Sequence, residues 1–115
     1  DHAHNIGELA ERKAKEKLVF TKQANIELDE VFKKSRDSYQ KAMRVIVTGD
    51  RVLAEAVFEL EREIDGLTMQ YEQNHFDRLK DGKCNPSAGV VFVDTIRNLE
   101  RISDHARNIA MAVTQ

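Results

Sequence analysis

The segment Asp104–Ile109 reads DHARNI, and nearly the same six letters, DHAHNI, open the chain at Asp1–Ile6. Five of the six residues agree, and corresponding residues lie 103 positions apart. Self-similarity at a long fixed offset is typical of a repeated structural unit. We therefore predict that the opening residues are the tail of a helix equivalent to the one that carries Asp104–Ile109.

Apolar residues recur every three or four positions through four segments, which predicts four amphipathic helices. The first is expected to run from Asp1 to about Phe20, and the last three to be longer and similar to one another. Residues with strong capping or helix-ending preferences mark the predicted boundaries. These residues are Thr21, Gly49, Asp50, the Asp81-Gly82 pair and Asn85-Pro86.

Short connections force consecutive helices to lie antiparallel. The sequence therefore predicts an all-α antiparallel bundle of three long helices plus a truncated N-terminal helix. Residues 1–20 would be the tail of the last helix of a preceding three-helix repeat, and residues 21–115 a complete repeat. Because the first helix lacks its own bundle, we expect it to dock on the other three helices and the chain to form a homodimer.

Composition excludes several classes of protein. The formal net charge is −2 with 33% charged residues, so no basic field indicates a nucleic-acid partner. The single cysteine, Cys84, cannot form an internal disulfide, which suits a reducing compartment. No apolar run approaches the roughly 20 residues that cross a bilayer, so this segment itself is expected to be soluble.

Acidic residues spaced by four lie one above the other on a helix and could hold a metal ion. Most such pairs in a charged helical chain are ordinary solvated surface. The chain has five of them: Glu55/Glu59, Glu59/Glu63, Glu61/Asp65, Asp77/Asp81 and Glu100/Asp104.

Two of these pairs are expected to meet. Glu61 and Asp65 flank the apolar stripe of the third helix, and Glu100 and Asp104 occupy the same flank of the fourth. Folding the hairpin about residues 82–85 brings residue 104 level with residues 60–66. Four carboxylates at one height would repel one another unless a polyvalent cation neutralised them. The other pairs find no acidic partners opposite.

Several other side chains have structural explanations. His75 lies near the end of the third helix and is expected to be exposed, whereas His105 is expected to pack or hydrogen-bond locally. Cys84 is expected to be a free surface thiol. Arginines along the fourth helix are expected to pair with neighbouring acids such as Glu100. These arginines are Arg97, Arg101 and Arg107.

The phrase NLERISDHARNIA, Asn98 to Ala110, resembles the ERIGDHAxNIA signature of the PhoU family, as does the opening DHAHNIGELAE. The longer stretch HFDRLKDGKCNPSAGVVFVDTIRNLERISDHARNIA is similar to the PhoU-like regulatory domain that follows the membrane part of bacterial Na+/phosphate cotransporters. Ser103 departs from the signature, which commonly has glycine there; a small side chain still permits close helix approach.

The resemblance implies two tandem three-helix bundles whose E(D)xxxD motifs hold multinuclear iron or zinc clusters. Matched to this chain, the motifs fall on Glu61/Asp65 and Glu100/Asp104, and Asp1 would be the second half of a third motif. The implied cofactors are divalent or trivalent metal ions. All-oxygen ligands suit Fe, Mn, Mg or Ca by type, with Zn as a further candidate.

The function implied is a non-enzymatic, metal-binding regulatory domain of phosphate uptake at the cytoplasmic face of the inner membrane. Its partners would be the membrane transporter part of the same chain and phosphate. Two alternatives stay open. One is a metal-free helical interaction module. The other is a di-metal carboxylate enzyme, although such sites usually use Glu-x-x-His motifs in a buried core, whereas these carboxylates flank the core.

Overall fold

Four α-helices account for most of residues 2–115, the part of the chain that the computed structural model describes. The helices are α1 His2–Lys15, α2 Lys22–Thr48, α3 Arg51–Lys80 and α4 Pro86–Thr114. Helices α2, α3 and α4 each pack on the other two, whereas α1 packs on α4. No strand occurs within residues 2–115. The prediction of an all-α bundle of three long helices with a shorter first helix is confirmed.

Local capping chemistry sets the helix boundaries. Thr21 accepts a hydrogen bond on Oγ1 from a backbone N–H in the first turn of α2, and Asp50 and Asn85 cap α3 and α4 in the same way. Gly49 ends α2 in the left-handed conformation, with φ of 65°, which costs a glycine little. Pro86 occupies the first turn of α4, where its missing N–H is not needed. These predicted boundaries are confirmed.

The predicted end of the first helix at about Phe20 is wrong, because α1 ends at Lys15. Lys17 adopts a left-handed φ of 53°, and the Leu18 N–H donates to the carbonyl of Lys13 at 2.9 Å, which closes the helix. Phe20 then lies in the bundle core, 8% exposed. Leu18 continues the helical spacing of Ala10 and Ala14, but it and Phe20 belong to a connection that closes one end of the bundle.

The core of the three-helix bundle is a column of three apolar clusters along the helices. Its central cluster is Val31, Ile64 and Leu99, one residue from each long helix. Small residues of α2 and α4 let those two helices approach closely, and Ser35 Oγ donates to the Leu99 carbonyl at 2.9 Å. Ser103 is fully buried, and within residues 2–115 its Oγ has no hydrogen-bond partner, so the small side chain fits but its hydroxyl is left unsatisfied. The outer clusters comprise Phe20, Ala24, Ala88, Val91, Phe92 and Ile96 at one end, and Ala42, Val45, Ala54, Val57, Ala106 and Ala110 at the other.

The prediction that His75 is exposed is wrong. His75 is 6% exposed. Its ring packs against the backbone of Gly89 and against the ring of Phe92, with 6.0 Å between the two ring centroids. The absence of a side chain at Gly89 makes this approach possible. Burial lowers the pKa of His75, and the positive charge of Arg78 lowers it further.

This buried imidazole makes stability depend on pH. Because the folded-state pKa of His75 lies below its ordinary value of 6.5, the unfolded chain binds the proton more readily. The free energy of unfolding should therefore fall as pH decreases below about 6.5. We expect His75→Gln to lose less of its stability between pH 7.5 and pH 5.5 than the wild type, as measured by urea unfolding at the two pH values.

The matched control is His4→Gln, because His4 lies on the surface of α1. This variant should keep the wild-type difference between the two pH values. Equal pH dependence in His75→Gln and His4→Gln would contradict the assignment to His75.

Candidate metal centre

Helices α3 and α4 bring three carboxylates together on the flank of their interface. Glu61 and Asp65 lie one turn apart on α3, and Asp104 faces them from α4. One oxygen from each side chain can be chosen so that all three lie within 4.8 Å of one another. The hairpin register thus brings the acidic pair of α3 to one member of the α4 pair, where the sequence predicts both.

Burial and mutual repulsion raise the pKa values of Glu61 and Asp104. The pKa of Glu61 is raised first by burial and then by its hydrogen bond to Asp65 and the charge of that residue. Burial also raises the pKa of Asp104, with the charge of Asp65 as the next cause. Arg107 opposes both shifts, and its Nε lies 3.9 Å from Glu61 Oε2. One arginine leaves the cluster with an excess of negative charge.

The other two predicted ligands, Glu100 and Asp1, are not part of this group of three. Glu100 is outside the group of three converging oxygens, although it is close enough for the charges of Asp65 and Asp104 to raise its pKa after burial has done so. Asp1 lies outside the described residues. The structure therefore gathers three of the five predicted ligands and places Glu100 beside them.

The remaining acidic pairs are solvated surface, as expected. All five residues of these pairs are exposed: Glu55, Glu59, Glu63, Asp77 and Asp81. Glu63 makes an ion pair with Lys34 at 2.7 Å. The arginines of α4 were predicted to pair with acids such as Glu100. Two of them have other partners: Arg107 faces Glu61, and Arg97 makes an ion pair with Glu72.

The donor set fits a hard, multiply charged cation. Three carboxylates supply only oxygen ligands, which suit Fe, Mn, Mg or Ca by type. A cation there would remove the like-charge repulsion that raises the pKa values of Glu61 and Asp104. Glu61 and Asp104 are only half-buried, so water can reach the group.

One Glu-x-x-His sequence, Glu72 to His75, lies on α3, and both of its residues have protein partners. Glu72 makes an ion pair with Arg97, and His75 packs against Gly89. Neither residue belongs to the group of converging ligand atoms found among the described residues. The arrangement therefore does not match a core-buried Glu-x-x-His pair of the kind that di-metal enzymes use.

The sequence did not single out two further contacts near this site. Arg107 was grouped with the other arginines, and its partner on α3 follows only from the register of the hairpin. His2 and His105 meet between α1 and α4, with 3.2 Å between their Nε2 atoms. The repeated DHA phrase was the signal for this pair, because equivalent positions of two adjacent repeats can face each other.

A three-helix bundle with acidic i, i+4 motifs on the flank of a helical hairpin defines the class of this domain. The PhoU domain model matches residues 28–113, which cover most of α2, all of α3 and all of α4 except Thr114. The chain belongs to the PhoU family.

A curated relative supports this membership. The phosphate-specific transport system accessory protein PhoU homolog 1 of Thermotoga maritima is 26% identical over 113 residues, which is 98% of this chain and 48% of the relative. The chain thus spans about half the length of the curated relative that it matches. No solved structure shows a significant match to this chain.

Proposed function

We propose that this chain is a metal-binding regulatory domain of phosphate uptake and carries out no reaction of its own. Membership of the PhoU family supports the regulatory role, and the name of the Thermotoga maritima relative supports the link to phosphate transport. The observation that carries metal binding is the convergence of Glu61, Asp65 and Asp104.

The wider context in this proposal is a Na+/phosphate cotransporter whose membrane part belongs to the same chain. The stretch from His75 to Ala110 supports it, through its similarity to the domain that follows the membrane part of such transporters. The domain would then act at the cytoplasmic face of the inner membrane. Within residues 2–115, none of the helices combines the length and the apolar character needed to cross a bilayer.

The carboxylates would link metal binding to the relative position of α3 and α4. Glu61 and Asp65 come from one helix and Asp104 from the other, so a shared cation binds the two helices to each other. A bound cation with open coordination positions also supplies an attachment point for an anion such as phosphate. Arg107, beside Glu61, adds a donor that could orient that anion.

Replacing Asp104 by asparagine tests the site. The substitution removes one ligand charge and changes helix propensity little. We expect the affinity for iron or manganese to fall at least about tenfold, because even outer-shell partners of metal ligands contribute that much. Metal bound after purification without chelator, measured by mass spectrometry, gives the result.

The control variant is Glu59→Gln, on the exposed face of α3. It should keep the wild-type metal content and change the free energy of unfolding by no more than about 0.5 kcal/mol. In chelator-treated protein, Asp104→Asn should be neutral or slightly stabilising, because repulsion is relieved. Equal metal content in the wild type and Asp104→Asn would contradict the site.

A metal-free interaction module is the second candidate function, and a specific surface favours it. An open, mostly apolar groove of about 740 Å³ lies between α1, α2 and α4. Two aromatic residues, Phe32 and Tyr39, line it and remain 44% and 48% exposed. We propose that a second copy of the chain covers this groove in a homodimer, which would bury these aromatic side chains.

A further inference from the structure

Two histidines from opposite ends of the chain meet where α1 packs on α4. His2 Nε2 lies 3.2 Å from His105 Nε2, and the two rings are 5.1 Å apart between centroids with 28° between their planes. The residues occupy equivalent positions in the repeated DHA phrase. Neither belongs to the carboxylate group between α3 and α4.

A hydrogen-bond network orients His2. Asn98 donates through Nδ2 to the Asp94 carbonyl at 2.8 Å, so its Oδ1 faces His2 Nδ1 at 3.2 Å and Asn5 Nδ2 at 3.3 Å. A carbonyl oxygen only accepts, so Nδ1 of His2 carries the proton. In the neutral ring, Nε2 then presents a lone pair toward His105. Histidine metal ligands show the same arrangement, in which the second ring nitrogen donates to a protein oxygen.

We propose that His2 and His105 form a second metal site, which binds a divalent transition metal such as Zn²⁺ through their Nε2 atoms and joins α1 to α4. Two nitrogen ligands about 2.0–2.1 Å from a tetrahedral zinc lie about 3.3 Å apart, close to the observed 3.2 Å. Imidazole suits Zn, Cu, Ni and Fe, whereas carboxylates suit Mg, Ca and Mn. Zinc and manganese therefore distinguish the two sites, because zinc suits the imidazoles and manganese the carboxylates.

The position of the pair gives such a metal a specific effect. Helix α1 packs on α4 and has no fully buried residue among His2–Lys15. A metal held by one ligand from each helix binds only the docked arrangement and so stabilises it. The site also opens onto the apolar groove, since both histidines line it. Metal binding at the pair would thus hold one wall of the groove in place.

Zinc titration of a carboxylate-depleted variant tests the proposal. Glu61→Gln with Asp65→Asn removes the α3 half of the acidic site and leaves α1 and α4 unchanged. We expect this background to bind Zn²⁺ in calorimetry, with shifts of the Nε2 resonances of both histidines in ¹⁵N NMR. Adding His2→Gln or His105→Gln should weaken zinc binding at least tenfold. Adding His4→Gln, whose side chain contacts Glu8 one turn along α1, should not.

The other outcomes overturn the proposal. Equal zinc affinity with and without His2→Gln, or unmoved Nε2 resonances, would show a pair that is hydrogen-bonded only. Loss of zinc binding in the carboxylate-depleted background would show that zinc requires the acidic group instead. Circular dichroism checks that each variant is folded. Failure of the carboxylate site is a separate result, because it is measured with Asp104→Asn and manganese, which imidazole does not favour.

Discussion

Replacing Arg78 by methionine is expected to lower the free energy of unfolding by about 3–5 kcal/mol, because it leaves a buried carboxylate without its counter-charge. Glu27 on α2 is fully buried. Both of its oxygens accept hydrogen bonds from the Arg78 guanidinium, at 3.0 and 3.2 Å, and Asn74 adds a third at 2.9 Å. The guanidinium also lies over the Phe92 ring. A loss of this size is a large part of the stability of a typical domain.

Urea unfolding of three variants separates the buried pair from ordinary surface charge. Arg97→Met breaks a more exposed pair with Glu72 and should cost no more than about 1 kcal/mol. Combining Arg78→Met with Glu27→Met removes both charges and should recover much of the loss. If Arg78→Met cost no more than Arg97→Met, the Glu27 pair would not have the importance that its burial indicates.

Gly89→Ala is expected to destabilise the domain by about 1–3 kcal/mol, the usual range for overpacking a filled core. A methyl carbon at this position would lie 2.3 Å from His75 Cε1 and 3.1 Å from its Nε2. The ring cannot simply swing away, because His75 is buried between α3 and α4. The substitution therefore has to push the two helices apart or expel the ring.

Gly66→Ala is the matched control for this experiment. A Cβ at Gly66, in the middle of α3, would meet no neighbouring atom within 4 Å. Alanine should stabilise the helix there by up to about 1 kcal/mol. Adding His75→Ala to Gly89→Ala should relieve the clash, so the two substitutions should be non-additive by more than about 0.5 kcal/mol. Strict additivity in denaturant unfolding would show that the clash is not the cause.

Local chemistry made most of the fold predictable from the sequence. Thr21, Gly49, Asp50 and Asn85 act on backbone groups within their own turns, so their roles can be recognised without knowing the tertiary structure. The end of α1 was not predictable in this way. Leu18 continues the apolar spacing of the first helix past its actual end, and the burial of Phe20 beside Phe92 depends on α4, which is distant in sequence.

His75 shows the same limit. Its nearness to the end of α3 suggested exposure, but a side chain is buried by what packs against it. The cause of its burial is Gly89, on another helix, and a missing side chain gives no periodic signal. A single sequence does not show which residue of α3 lies opposite that glycine.

The candidate site was predictable to the extent that one hairpin sets its register. A short turn between α3 and α4 brings Asp104 level with Glu61 and Asp65, and the structure groups those three. Register does not determine how far each side chain reaches, which is why Glu100 lies beside the group. The position of Arg107 opposite Glu61 likewise requires the side chains of both helices.

The packing of α1 on a single helix gives this domain two levels of native-state stability. Opening α1 disrupts contacts with α4, whereas opening α2, α3 or α4 disrupts the central core. The backbone amides of α1 can therefore exchange with solvent through local openings that leave the three-helix bundle folded. Because α1 can open while the bundle stays folded, ligands of α1 act on a local unfolding equilibrium, separate from the global one.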